Sequence, residues 1–165
     1  MKQKIYIKLF EGAEPLVIKE QGDWIDLKTR VDIHMKSPFA NTLSRVRKKD
    51  EQSLTRNVEF EHMLIPLGVG MILPKGMEAH VLPRSSTFKN YGIIQTNSCG
   101  IIDNTYCGDN DQWYWPALAM RDTHISANDR ICQFRIMENQ PKIHFEEVEH
   151  LDGKDRGGFG STGRN

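Results

Sequence analysis

The stretch from Met71 to Leu82, MILPKGMEAHVL, contains two short apolar runs separated by a turn sequence. Met71-Ile72-Leu73 stops at Pro74-Lys75-Gly76, and Ala79-His80-Val81-Leu82 follows directly. Apolar runs of this length bounded by proline and glycine are typical of β-strands, because proline and glycine interrupt regular structure. This stretch therefore predicts two consecutive strands joined by a tight turn.

Runs of the same kind recur along the chain at intervals of roughly ten residues, with turn residues between them. The other predicted strands are Ile5–Leu9, Val58–Glu61, Gly92–Thr96, Trp113–Met120, Ile131–Ile136 and Ile143–Val148. Helix signals are limited to one turn at Ser85–Lys89 and a short polar helix at Thr42–Lys49. The pattern predicts an antiparallel all-β sandwich or barrel, with a loop or hairpin insertion at residues 37–57.

Length and charge limit the kinds of partner. A chain of 165 residues can form one domain with a real core. Its 22 basic and 22 acidic residues balance, so we expect no nucleic-acid partner. No apolar run approaches the roughly 20 residues of a membrane span, and the first ten residues, MKQKIYIKLF, lack a signal-peptide core. Three cysteines, an odd number, predict reduced thiols in a cytoplasmic protein.

Five polar clusters interrupt the predicted strands, and each has an ordinary interpretation. Pro83-Arg84-Ser85-Ser86 can cap a short helix, or it can hold phosphate with hydroxyls, a guanidinium and backbone N–H groups. Gly100–Tyr106 predicts a hairpin turning near Asn104-Thr105. Its Asp103 is either a turn-forming residue or, after two isoleucines, a sheltered carboxylate that polarises water.

The other three clusters are equally open when each is taken alone. Arg130–Phe134 alternates polar and apolar residues, so Arg130 and Gln133 can be simple strand edges. Gly22–Leu27 can be a turn that enters a strand. The glycine-rich end, RGGFGSTGRN from Arg156 to Asn165, has the composition of a disordered tail, yet it also carries a phenylalanine, two arginines and a Ser-Thr pair.

Taken in order, the five clusters resemble the five motifs of the trimeric dUTPase family in the family's own sequence. The third motif, Gly100-Ile101-Ile102-Asp103 with Tyr106, and the fifth, Gly157–Gly163, are the specific ones. The resemblance implies an all-β, distorted jelly-roll barrel over residues 1–150. It also implies a linker and a flexible C-terminal arm over residues 151–165.

The activity implied by this resemblance is hydrolysis of dUTP to dUMP and pyrophosphate, which keeps uracil out of DNA and supplies dUMP for thymidylate synthesis. Water would attack the α-phosphorus with Asp103 as the activating base. Mg2+, the implied cofactor, would be held by the phosphates, and Asp26 of the first motif would reach it through water.

The resemblance also implies roles for the remaining motif residues. The phosphate chain would be bound by Arg84, Ser85, Ser86, Gln133, Arg156, Ser161 and Thr162. Uracil would be read by hairpin backbone at Gly100 and Ile102 and by the Asn97 amide. Tyr106 would pack on the deoxyribose, and Phe159 would stack on uracil when the arm closes as a lid.

Three positions depart from the family pattern. In the first motif, Asp23 rivals Asp26 as the matching carboxylate. Thr105 replaces the acidic residue that commonly precedes the tyrosine of the third motif. In the fifth motif the usual arginine lies farther from the Gly-Gly-Phe, so either Arg156 or Arg164 would contact the γ-phosphate.

Assembly and rival functions complete the predictions. The resemblance implies a homotrimer with shared active sites, and we expect subunit contacts to cover apolar groups such as Trp113 and Trp115. One rival is a dCTP deaminase, although that chemistry requires glutamate after the hairpin tyrosine, where this chain has Cys107. The other rival is a phage-type regulatory protein that binds a repressor, with a protein partner at the 37–57 insertion.

Overall fold

The computed structural model describes residues 3–38, 44–46, 55–57 and 60–155, and within these ranges short β-strands dominate. In chain order the elements are β1 (Tyr6–Leu9), β2 (Ile25–Lys28), β3 (Ile33–Met35), β4 (Ser44–Val46), β5 (Thr55–Asn57), β6 (His62–Pro66), β7 (Val69–Ile72), β8 (Met77–Pro83), α1 (Thr87–Tyr91), β9 (Ile93–Gln95), β10 (Gly100–Ile102), β11 (Tyr114–Ala119), β12 (Thr123–Ile125) and β13 (Arg130–Glu138). The predicted all-β class is confirmed.

The strands form one four-stranded sheet, one three-stranded sheet and three two-stranded pairs. Their orders are β10-β8-β13-β2, β6-β11-β9, β1-β7, β12-β3 and β4-β5. All of these pairings are antiparallel. The predicted antiparallel arrangement is therefore confirmed across the described residues.

The turn at Pro74-Lys75-Gly76 carries the chain from one sheet to another. The Met77 N–H donates to the Pro74 carbonyl at 3.0 Å, and Gly76 adopts a φ of 82°, which favours glycine. The flanking strands β7 and β8 do not pair with each other, since β7 pairs with β1 while β8 pairs with β10 and β13. A chain that changes sheet at a turn builds two layers around one core.

The core lies between these sheets. The four-stranded sheet contributes Leu27, Val81 and Phe134, and the ring of Phe134 meets Trp113 edge-on with centroids 5.3 Å apart. Truncating an aromatic ring in such a core typically costs about 3–5 kcal/mol. Trp113 and Trp115 are both 0% exposed. The expectation that subunit contacts cover them is therefore wrong, because the core of a single chain already does so.

One strand prediction is wrong, and another lies partly outside the described residues. Ile143–Val148 runs without strand pairing, and the side chain of Phe145 is 87% exposed. Its alternating residues suit a strand, but a strand also needs a neighbour to pair its backbone. Of the predicted run Val58–Glu61, residues 58–59 lie outside the described ranges, residues 60–61 are not in a strand, and β6 begins at His62.

Of the two helix predictions, one is confirmed and one is wrong. The turn predicted at Ser85–Lys89 is confirmed as α1, which ends at Tyr91 and is capped by Gly92, whose N–H donates to the Phe88 carbonyl at 2.8 Å. The polar helix predicted at Thr42–Lys49 is wrong, because Ser44–Val46 is a strand paired with Thr55–Asn57. Pairing with a distant segment overrides weak local helix propensity. Among the described residues no helix has the length and hydropathy that crossing a membrane requires.

Candidate active site

The carboxylate of Asp26 is the point at which three of the predicted motifs meet. Its Oδ1 accepts a hydrogen bond from Arg84 Nε at 2.7 Å. Its Oδ2 accepts from Lys19 Nζ at 2.9 Å and from Arg130 Nη1 at 3.1 Å. Only 14% of the Asp26 side chain is exposed, so these charges attract more strongly than they would in bulk water. The first, second and fourth motifs therefore share one charged cluster.

A bulge in β13 explains how Arg130 and Gln133 both face this cluster. In a regular strand, residues three apart point to opposite faces of the sheet. The register with β2 shifts between Arg130 and Cys132, which leaves Ile131 as an extra residue, and Ile131 and Cys132 are both buried. The Gln133 amide then donates to the Pro83 carbonyl at 3.2 Å. The Arg-x-x-Gln spacing of the fourth motif suits this bulge.

The charged cluster keeps Asp26 ionised. Burial acts to raise the pKa of Asp26, but the hydrogen bond from Lys19 and the positive charge of Arg84 outweigh it, so the pKa lies below its ordinary value. The rival carboxylate, Asp23, is 78% exposed and meets Arg135 at 3.7 Å. This geometry favours Asp26 as the first-motif residue.

The Arg84-Ser85-Ser86 segment connects β8 to α1, and hydrogen bonds of the Thr87 side chain hold it in place. The buried Thr87 hydroxyl donates to the Ile131 carbonyl at 2.6 Å and accepts from the Arg84 N–H at 2.9 Å. Ser86 starts the helix without a capping hydrogen bond from its side chain, and Ser85 is exposed. Both hydroxyls are therefore available to a ligand.

Asp103 follows β10 and opens the turn at Asn104-Thr105. Its Oδ1 accepts hydrogen bonds from the hydroxyl of Thr105 and from the Thr105 N–H, the latter at 2.7 Å. These two bonds, the hydroxyl first, hold the pKa of Asp103 below its ordinary value. The turn at Asn104-Thr105 is confirmed, but the predicted hairpin is wrong, because among the described strands β10 pairs with β8 and not with a strand after the turn. The Asp103 side chain is exposed in the single chain, so the chain by itself does not provide the sheltered position predicted for it.

Asn97 and Tyr106 flank Asp103 along the chain. The Asn97 Oδ1 accepts from Gln95 Nε2 at 2.8 Å, which leaves the Asn97 amide N–H groups as donors for a ligand. The Tyr106 hydroxyl donates to the Gln112 carbonyl at 3.0 Å. Burial, followed by the charge of Asp111, raises the pKa of Tyr106, so its hydroxyl stays a donor. Both side chains can therefore meet a ligand in fixed orientations.

Asp103 and Arg84 lie toward opposite ends of the β8–β10 ladder. Gly100 pairs with Val81 and Ile102 pairs with Ala79, so β10 leads the chain away from Arg84. Arg84 follows Ala79 by five residues. At about 3.3 Å per residue, Arg84 lies about 16 Å along the strand direction from Ala79, the residue opposite Ile102. One chain does not bring these two predicted site residues together.

The described residues fit a magnesium ion only in an outer-shell role. Among them, no group of three His, Cys, Asp or Glu side chains is arranged to hold a metal. Asp26 already accepts three hydrogen bonds, out of about four that a carboxylate can accept. Mg2+ prefers phosphate oxygens and keeps several waters. The donor set therefore suits an ion that phosphates carry and that Asp26 meets through water.

The predicted arm residues Arg156, Phe159, Ser161, Thr162 and Arg164 lie outside the described ranges. Sequence reasoning also missed two residues that the structure brings into the site. Lys19 precedes Asp26 by seven residues in a segment without strand or helix, and no sequence pattern singles it out. Thr87 carried a weak signal, since it follows the second motif directly.

The sequence of this chain matches a known protein family. The dUTPase family model matches residues 50–163. The SPbeta prophage-derived deoxyuridine 5'-triphosphate nucleotidohydrolase YosS of Bacillus subtilis is 50% identical over 161 residues, covering 97% of this chain and 98% of that protein. The chain belongs to the dUTPase family.

Solved structures support the same fold. The dUTPase of Staphylococcus bacteriophage 80alpha with dUPNHPP superposes with a TM-score of 0.72 at 14% identity, covering 98% of this chain and 99% of that one. A mutant dUTPase from phage phi11 of S. aureus, whose structure reveals the coordination of a structural Mg(II) ion, gives a TM-score of 0.65 at 12% identity, covering 92% and 100%. The jelly-roll fold that the motifs implied is confirmed.

Proposed function

We propose that this chain hydrolyses dUTP to dUMP and pyrophosphate. The observation that carries the proposal is the 50% identity to a deoxyuridine 5'-triphosphate nucleotidohydrolase over almost the whole chain. The Asp26 cluster adds a physical reason, because three cations converge on Asp26 and one of them, Arg84, is followed directly by the exposed Ser85. Such a group of donors suits a phosphate chain.

The phosphates would be bound by the segment after β8. The Arg84 guanidinium is oriented by Asp26, and it keeps N–H groups that can reach phosphate oxygens. Ser85, Ser86 and Gln133 would add hydroxyl and amide donors around it. Because these groups are positioned before substrate arrives, they can stabilise the charge that develops on the leaving pyrophosphate without reorganising.

The attacking water would be activated by Asp103. Its carboxylate is ionised near neutral pH, since Thr105 holds its pKa low, and a carboxylate within hydrogen-bond reach of water can take its proton. Asn97 would donate to the uracil edge, backbone groups at Gly100 and Ile102 would complete base recognition, and Tyr106 would pack on the deoxyribose. Mg2+ bound by the phosphates would neutralise their charge.

The active enzyme would be a homotrimer with shared sites. The separation of about 16 Å along β8 and β10 supports this arrangement, since the Asp103 turn of one chain would then meet the phosphate site of another. The exposed Ile143, Phe145 and Val148 also favour a neighbouring chain along this segment. The arm of a chain would close over a site with Phe159 on uracil, and Arg156, Ser161 and Thr162 on the γ-phosphate.

Pyrophosphate release from dUTP, dTTP, dCTP and UTP with Mg2+ tests the reaction. We expect release from dUTP alone, because the segment from Gly100 to Tyr106 would leave no room for the thymine methyl and Tyr106 would exclude a 2′-hydroxyl. Ammonia release from dCTP, measured beside it, would identify a deaminase. Cys107, exposed beside Tyr106, has no carboxylate with which to move protons at cytosine.

A second role would be confined to the insertion. We place a protein partner at residues 37–57 because β4 and β5 pair only with each other among the described strands, so they add no strand to the other sheets. Deleting residues 37–57 should keep dUTP turnover and abolish partner binding. The enzyme would act in the cytoplasm, where its three unpaired thiols stay reduced.

A further inference from the structure

Lys19 holds a different position in the Asp26 cluster from the two arginines. Arg130 belongs to β13 and Arg84 follows β8 directly, so neighbouring strands fix both backbones. Lys19 lies between β1 and β2 in a segment without strand or helix, and its side chain is 48% exposed. Its ammonium group has three donors, and among the described residues it donates one side-chain hydrogen bond, to Asp26. Lys19 can therefore change partner while the arginines stay in place.

A cleft opens beside this lysine. It has a volume of about 260 Å³ and is lined by Val17, Lys19, Asp26, Lys28 and Arg130. The charge of Lys28 is matched by Glu14, with which it pairs. The other two cations of the lining, Lys19 and Arg130, face one carboxylate, Asp26. Arg84, which does not line the cleft, is the third cation that contacts Asp26, so the Asp26 cluster has two positive charges in excess. A cleft beside a cluster of this charge attracts a polyanion.

We propose that Lys19 is a further phosphate-binding residue, which leaves Asp26 and binds the phosphate chain when dUTP enters the site. This inference rests on the proposed function. Lys19 and Arg84 contact the two oxygens of one carboxylate, so their charged groups are close neighbours. A phosphate chain held by Arg84 is then within reach of Lys19, and it offers more negative charge than a single carboxylate.

The exchange has a consequence for Asp26. Its Oδ2 accepts two hydrogen bonds, from Lys19 and from Arg130. Departure of Lys19 adds a second open acceptor position to Asp26, beside the one left by its three hydrogen bonds, at the moment when phosphates arrive. An outer-shell role through water uses open acceptor positions of this kind.

Binding of the non-hydrolysable analogue dUpNHpp and of dUMP to wild-type protein and to Lys19→Met, measured by calorimetry, tests the proposal. We expect Lys19→Met to weaken dUpNHpp binding about 10-fold, the loss typical of a charge-assisted hydrogen bond. Binding of dUMP should change less than about 2-fold, since its single phosphate carries less negative charge than a triphosphate and competes less well with Asp26 for Lys19. Lys19→Arg should restore most of the affinity for dUpNHpp.

Lys36→Met is the matched control, because Lys36 also pairs with an aspartate, Asp122, at 3.2 Å, but it directly follows β3, away from the cluster. It should leave both affinities unchanged. Unchanged dUpNHpp binding in Lys19→Met, or an equal loss for both nucleotides, would overturn the role of Lys19 while leaving the proposed function standing. A wild-type protein that does not bind dUpNHpp would overturn the proposed function and the Lys19 inference with it.

Discussion

Asp103 shows how one side chain can satisfy a local structural need and still be chemically competent. Its Oδ1 closes the turn by accepting from the N–H and the hydroxyl of Thr105. A carboxylate has a second oxygen with its own lone pairs. Asp103 can therefore form the turn and act as a base at the same time. Only a substitution that keeps an acceptor oxygen but removes the carboxylate distinguishes the two roles.

We predict that Asp103→Asn preserves the fold and the binding of dUpNHpp but lowers turnover of dUTP by about 10²–10⁴, the range for a lost general base. Asparagine keeps an oxygen that can accept from Thr105, but it cannot take a proton from water. Steady-state pyrophosphate release gives kcat, and circular dichroism checks the fold. Near-normal turnover would refute the assigned role.

The hydroxyl of Thr105 leads to a pH prediction. Because Thr105 lowers the pKa of Asp103, the carboxylate stays ionised as pH falls, and activity that needs it is lost only below the ordinary value of about 3.9. Thr105→Ala should raise the pKa of Asp103 and move this loss to higher pH. Thr105→Ser, which keeps the hydroxyl, is the matched control.

Carbon NMR of the Asp103 carboxyl group measures the pKa directly, and the acid limb of kcat/KM shows its effect on turnover. A pKa of Asp103 that is the same in the alanine and serine variants would contradict the assigned cause.

Part of the site could be predicted from the sequence, because the residues within each motif stand at fixed spacings along the chain. Asp26, Arg84 and Gln133 were predicted as site residues, and the structure brings them to one end of the sheet. Lys19 was not predictable, because an ion pair between a loop and a strand has no periodic signal. The opposite placement of Asp103 and Arg84 also escaped prediction, since it depends on the register of β10 against β8.

Strands were more predictable than their pairing. A run such as Met71-Ile72-Leu73 signals a strand through its own residues, so β7 and β8 were found on both sides of the turn. Which strands pair is decided by distant segments, and the sequence of β7 does not reveal that its partner is β1. Ile143–Val148 was predicted wrongly for the same reason, because its pattern suits a strand that has no neighbour within the described chain.

At the scale of a whole segment, we predict that removal of residues 156–165 leaves a stable protein with little dUTP turnover. The buried core of the described chain runs from Leu27 to Phe134, and the deleted residues include one large apolar side chain, Phe159, so we expect little core burial to be lost. Closure over substrate, which would exclude water, is lost entirely. Thermal unfolding and pyrophosphate release measure the two effects.

Phe134→Ala provides the comparison for stability, since Phe134 is 1% exposed and packs against Trp113. The truncated protein should unfold at nearly the wild-type temperature, while the core variant should lose several degrees. If truncation lowers the unfolding temperature as much as Phe134→Ala does, the proposed role of residues 156–165 as a lid is contradicted.

At the scale of the whole molecule, we predict that two inactive chains restore activity when they share a trimer. Asp103→Asn chains lack the base, and chains that end at residue 155 lack the arm. If sites are shared, some hybrids combine Asp103 from one chain with the arm of another. Partial unfolding and refolding of the mixture should therefore recover dUTP turnover.

The same two proteins mixed without unfolding serve as the control, because subunits then stay in their original assemblies. Light scattering gives the mass of the wild-type particle, and tagged chains verify that hybrids form. Monomers in solution, or verified hybrids without turnover, would refute shared sites.

The complete burial of Trp113 and Trp115 gives this protein its own optical probe. Both indoles are 0% exposed, so the surrounding core determines their emission. The third tryptophan, Trp24, is half-buried and lies two residues before Asp26. A change of intrinsic fluorescence on adding a nucleotide would therefore come mainly from Trp24, and it would report on the first motif without any label attached to the chain.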